Sequence, residues 1–176
     1  MPKSLLVGHI NINCRGNEVN LVALALFVFI AWVIISVYLF VPKRLSMEEN
    51  ILLFFLFTII TINIFTILDL NLKLIQHSNK VDMFISFWIH RNVIIPVSLI
   101  IFVNLINTLK SRIEKIVITV LVFAIVYLVT LIAFGIGIIT CGSNLYLGSA
   151  ILLTVLMLLS FLTMKLVTKL PEGKSI

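Results

Sequence analysis

Charge is scarce in this sequence: 11% of its 176 residues are Asp, Glu, Lys or Arg, where a soluble domain carries about a quarter. A further 61% are hydrophobic, and so short a chain has no water-soluble core large enough to bury them. Lipid is the solvent these side chains suit, and the length leaves room for a single domain across residues 1–176. A nucleic-acid partner is excluded on the same grounds. The net charge is +6, but the 13 basic residues stand as ones, twos and threes beside apolar runs, with no basic stripe among them.

Catalytic signatures are missing as well. There is no phosphate-binding glycine loop and no His-Glu-x-x-His, and no Gly-x-Ser-x-Gly elbow. Glu48-Glu49 has the look of the paired glutamates of membrane prenyl-type proteases, without the downstream Arg and His pattern. The three histidines, at positions 9, 77 and 90, are too scattered to nominate a metal site. No cofactor or metal is expected. Only two cysteines occur, Cys14 and Cys141, and they form no Cys-x-x-Cys motif. Both fall on the same side of the topology derived below, so a disulfide between them is one possibility and two free thiols the other.

Five apolar runs reach the roughly 20 residues needed to cross a hydrocarbon core. They cover residues 21–41, 51–70, 88–109, 116–139 and 145–167, the third being continuously apolar only from Val93. None alternates as a barrel strand does, and backbone polar groups at that depth must be satisfied internally. The expected fold class is therefore all-α, a polytopic bundle of about five transmembrane helices. Ser46 is placed to cap the second helix, and Glu48 and Glu49 suit the positive end of its dipole. The run at 5–7 is too short for a signal-peptide core, and no small-residue cleavage pattern follows the first span. Ile12-Asn13 before Cys14 is a poor lipoprotein cleavage box. The first span thus reads as an uncleaved anchor.

Basic residues set the direction. Lys43, Arg44, Lys110, Arg112, Lys115, Lys165, Lys169 and Lys174 lie on one side of a five-span chain, and Lys3, Arg15, Lys73, Lys80 and Arg91 on the other. The side with eight is expected in the cytoplasm, which puts the N-terminus outside and the C-terminus inside. The longest connection, residues 71–89, then faces outward. Its mixture of apolar and polar residues, with Trp88 as an aromatic anchor, fits either a segment lying on the membrane or an ordinary loop.

Ionisable and amide side chains inside a membrane mark candidate functional positions. Asp69, His90, Arg91, Asn92, Asn104 and Asn107 form this set, on the second and third spans. Asp69 and Arg91 are expected at similar depth, as a structural ion pair or, with His90, as a proton or cation site. The asparagines read as interhelical hydrogen bonds or as part of a solute path. Pro96 frees the carbonyl of Asn92, four residues earlier, which predicts a kink there. On the fourth span Thr130, Ala133, Gly137 and Cys141 form a small-residue stripe, with Gly148 near the start of the fifth. Such residues let helices approach closely, within one chain or between subunits.

Several short stretches also carry a resemblance: Leu45-Ser46-Met47-Glu48-Glu49-Asn50, then Leu68-Asp69-Leu70-Asn71-Leu72-Lys73-Leu74, Val81-Asp82, Ile95-Pro96 and Phe102-Val103-Asn104. The block resembles a group of small, uncharacterised multi-span membrane proteins of spore-forming Gram-positive bacteria, over about a third of the chain. Ile95 stands where that group has Tyr before the proline, and the glycine of its outer loop is missing. The resemblance implies a bacterial cell membrane as the compartment, and one shared pattern for Asp69, Asp82, Pro96 and Asn104. It implies no activity.

Three functions follow in order. The first is a non-enzymatic subunit or accessory protein that acts by helix packing, in the lipid bilayer, with itself or a membrane-protein partner. The second is a small oligomeric ion or solute transporter or channel, using the polar set. A membrane enzyme without a recognisable motif comes third.

Overall fold

Ser46 and Glu49 close a capping box at the start of the second apolar run: the Glu49 amide N–H donates to Ser46 Oγ at 3.2 Å, and the Ser46 N–H donates to Glu49 Oε2 at 2.7 Å. The helix therefore opens at Met47, four residues before the apolar run. Pro42, which lacks a donor, separates it from the preceding helix, whose final backbone bond runs from the Val41 N–H to the Val37 carbonyl at 3.0 Å.

The computed structural model describes the backbone of residues 4–68, 75–77, 80–141 and 145–167, and the side chains of 21–68, 80–139 and 148–165. In chain order the elements are α1 Ser4–Phe40, α2 Met47–Thr66, β1 Ile75–His77, α3 Val81–Ile89, a π-helical segment His90–Ile94, α4 Ile95–Thr108, α5 Arg112–Gly135, β2 Ile139–Cys141 and α6 Leu145–Val167. Among the described residues five helices are long and apolar enough to cross a membrane: Leu21–Phe40, Met47–Thr66, Val81–Thr108, Arg112–Gly135 and Gly148–Lys165. The chain is an all-α protein with the build of an integral membrane protein.

Several boundaries differ from those expected. The first helix starts at Ser4, not at residue 21, because hydropathy marks only the part suited to hydrocarbon and a helix can continue beyond it. The third span starts at Val81, not 88. Residues 81–89, expected to be part of an outer connection, are α3, and β1 occupies part of the remainder. The fourth helix ends at Gly135, not 139. There the Ile138 N–H donates to the Ala133 carbonyl and the Gly137 N–H to the Phe134 carbonyl, both at 3.0 Å. With Gly137 at φ +79°, this is a Schellman cap. The chain then enters β2, which pairs antiparallel with β1 in the register Ile75–Cys141, Gln76–Thr140 and His77–Ile139. This small ladder ties the connection before α3 to the one before α6. The membrane end that carries it is the ladder end. The opposite end, where Lys43, Arg44, Lys110 and Arg112 lie, is the basic end.

The spans are not equivalent in position. Within its most apolar window the third span is 78% buried, against 17% to 33% for the other four. From Ile95 to Asn104 every side chain is buried. The third span is the axis of the bundle, and α1, α2, α5 and α6 each touch it. The core follows it, from Met83 and Phe87 through Ile94, Leu99 and Val103 to Ile106.

Candidate functional site

On α2 the buried positions Asn50, Leu53, Phe57, Thr61 and Phe65 recur at helical spacing and make one stripe facing the axis. Two contacts fix its antiparallel register on the third span. Asn104 Nδ2–H donates to Asn50 Oδ1 at 2.7 Å, and the Phe65 and Phe87 rings meet edge-on with centroids 5.8 Å apart. Thr61 is thereby level with the π-helical segment.

Near the basic end, Asn50 and Asn104 form a buried amide pair. Asn50 Nδ2 donates to the Leu45 and Ser46 carbonyls at 3.1 and 2.9 Å, and Asn104 Nδ2 also donates to the Ile100 carbonyl at 3.0 Å. Asn104 is 0% exposed, and its Oδ1 has no hydrogen-bond partner. Thr108 Oγ1 donates to the Asn104 backbone carbonyl at 2.9 Å. Asn107 is half-buried on the same turn.

His90 lies about 21 Å along the axis from Asn104, fourteen residues away at about 1.5 Å each. The expected polar set is thus two separate groups, a point that composition alone does not reveal. His90 is fully buried, and Phe27 of α1 meets its ring edge-on at 5.9 Å between centroids. Its Nε2 lies 3.3 Å from Thr130 Oγ1 of α5. The Thr130 hydroxyl donates to the Val126 carbonyl at 2.9 Å, so its proton is committed and the oxygen accepts. The tautomer that satisfies this contact is the one with the proton on Nε2, which donates to Thr130. This leaves Nδ1 an acceptor, and it is buried without a partner.

The backbone beside it is irregular for a stated reason. Pro96 has no N–H to give the Asn92 carbonyl, and the helix passes through the π-helical segment, with the Ile95 N–H donating to the His90 carbonyl five residues back. The expected kink site is this segment. Asn92 is buried with Oδ1 unpartnered, as is Oγ1 of the fully buried Thr61. The Arg91 guanidinium lies over the Phe87 ring, 5.3 Å from its centroid. Asp69 and any pairing with Arg91 lie outside the described residues.

The small-residue stripe on α5 is divided. Thr130 and Ala133 are buried, and the Thr130 hydroxyl meets His90 on the axis. Gly137 is the helix cap described above, outside the helix. A Cβ at Gly137 or Gly148 would meet nothing within 4 Å, so neither glycine marks a close approach of helices. Cys14 falls in α1 and Cys141 in β2, and their side chains, with any disulfide, lie outside the described residues. Among the described residues no group of three or more His, Cys, Asp and Glu gathers to hold a metal ion.

Asn50 was hidden in the sequence by its place in a helix-start motif. The available signal was its depth, one turn inside the basic end, matching that of Asn104 on the next span. Comparison of the chain with protein-family models, curated proteins and solved structures gives no match in any of the three.

Proposed function

We propose that this membrane protein is a non-enzymatic subunit or accessory protein that acts by packing its helices against a second membrane protein or a second copy of itself. The first helix carries this reading. It runs for 37 residues, about 55 Å at the α-helical rise, where the hydrocarbon core is about 30 Å thick. Only 17% of its apolar window is buried against the bundle, the least of the five spans. Phe29 and Trp32 stack on its outward face, centroids 6.2 Å apart, with 59% and 64% of their surface exposed. Meanwhile the Asn104–Asn50 hydrogen bond and the His90–Thr130 contact both lie inside the bundle. The charge balance supports an outside N-terminus and a cytoplasmic C-terminus, and the compartment proposed is a bacterial cell membrane. A photo-reactive residue at Phe29 or Trp32, activated in cells, is expected to yield a discrete protein adduct; adducts to lipid alone at both positions remove this reading.

Passage of a small solute or ion is a second reading, favoured by the unpartnered buried atoms Thr61 Oγ1, His90 Nδ1 and Asn92 Oδ1. Burial of His90 inside the bundle favours a path that passes within each protomer of an oligomer. It requires flux into reconstituted vesicles that His90→Ala reduces; identical flux in the two proteins sinks it.

A further inference from the structure

Two lateral grooves open toward lipid, and each has an apolar floor and a lysine at its basic-end mouth. The first, about 610 Å³, lies between α1, α2 and α4, with Ile35, Leu39, Ile51, Phe55 and Val97 along it and Lys43 at the mouth. The Lys43 ammonium sits 4.7 Å above the centroid of Tyr38, which also lines the groove. The second, about 490 Å³, lies between α4, α5 and α6, with Phe102, Ile116, Val120, Phe123 and Leu158 along it and Lys115 at the mouth. Both volumes are in the range of small-molecule sites, about 300–1,000 Å³.

The dimensions match one kind of occupant. The first groove runs along α2 from Met47 to Phe55 and the second along α5 from Lys115 to Phe123. Each covers nine residues, about 12 Å of helix from first to last, and one leaflet is half of the roughly 30 Å hydrocarbon core. Each groove is thus about as deep as the acyl layer of the leaflet at the basic end. Both lysines lie where that leaflet's headgroups are. Basic positions between membrane helices attract anionic headgroups. Besides Tyr38 and Asn50 in the first groove and Thr119 and Thr154 in the second, the lining below each lysine is apolar, so an amphiphile finds a largely apolar trough below a cation.

We propose that these grooves are binding sites for anionic phospholipid, the acyl chain lying along the groove and the headgroup phosphate paired with Lys43 in one and with Lys115 in the other. Unselective annular lipid differs in two ways: it does not prefer anionic headgroups, and it does not depend on single lysines.

The test is native mass spectrometry of the full chain, delipidated in mild detergent and supplied with equal amounts of phosphatidylglycerol and phosphatidylcholine. Retention of one or two phosphatidylglycerols per protomer is expected, with phosphatidylcholine largely absent. Lys43→Ala and Lys115→Ala should each weaken one retained lipid about fivefold, equivalent to about 1 kcal/mol per basic residue, and the double variant should weaken both. Ile51→Trp narrows the first groove without changing charge and should remove one lipid; Ile51 is 48% exposed, so the larger ring is accommodated from the lipid side. Equal retention of the two lipids, absence of retained lipid, or unchanged retention in both the double lysine variant and Ile51→Trp overturns the proposal. Unaltered helical content of each variant by circular dichroism keeps loss of fold from passing for loss of binding.

Discussion

Asn104 gives a side-chain N–H to Asn50 across 2.7 Å of the bundle interior, and this bond joins the first turn of α2 to the last turn but one of the central span. Both residues are buried, and the remaining Asn50 protons go to the carbonyls of Leu45 and Ser46. The pair therefore holds the helix start, the preceding loop and the axis in one register.

Loss of that bond should be measurable but modest. Interhelical hydrogen bonds in membranes average about 0.6 kcal/mol and reach about 1.7. Asn104→Leu is expected to destabilise by an amount in this range, and Asn50→Leu/Asn104→Leu by less than the sum of the single changes. Unfolding of the four proteins in mixed detergent micelles gives the coupling energy. A cycle that closes at zero contradicts the pairing.

The His90–Thr130 contact makes a different demand. Thr130→Val keeps the shape and removes the acceptor, leaving the Nε2–H buried without a partner, at a cost of about 1–3 kcal/mol. Thr130→Ser should recover most of it. Thermal unfolding in detergent distinguishes the two variants, and equal stability of the Val and Ser proteins would show that the contact carries no weight.

Two glycines separate a cap from a packing stripe. Gly137 has φ +79°, where a residue with a Cβ costs about 1–2 kcal/mol. Gly137→Ala should lower stability accordingly. Gly148 has open space around it, so Gly148→Ala should stay within about 0.5 kcal/mol of the parent. Comparable losses at the two positions would return both to the role of close-approach residues.

Orientation is open to a labelling experiment. A membrane-impermeant thiol reagent applied to intact cells should reach reduced Cys141 and leave a cysteine placed at Ser111 unmodified. The reverse pattern inverts the topology.

The number of spans was legible because transfer to hydrocarbon depends on local composition, and five runs satisfy it. Which span lies at the centre was not. The interior of a membrane protein is about as apolar as the lipid around it, so Leu99 on the axis and Leu128 on the surface contribute the same hydropathy from opposite environments, 3% and 58% exposed. The start at Val81 was obscured by the mixed composition of residues 71–89. Gly137 was misplaced because a small residue at helical spacing looks the same in a packing stripe and at a cap. Asn104 and His90 were identifiable as costly residues; depth alone pointed to Asn50 as a partner for Asn104, whereas the pairing of His90 with Thr130 depended on a register that only the folded helices supply.

The central place of the third span also gives the growing chain a history. Asn104 bonds a residue made 54 positions earlier, so its partner is already in the membrane when it arrives. His90 must wait for Thr130, 40 positions later. At about 5–20 residues per second of synthesis that is about 2–8 s during which the imidazole lacks its acceptor. The half-made protein thus holds one side of its axis closed and the other open until α5 arrives, and a chain halted between Leu109 and Thr130 leaves the His90 ring without that contact.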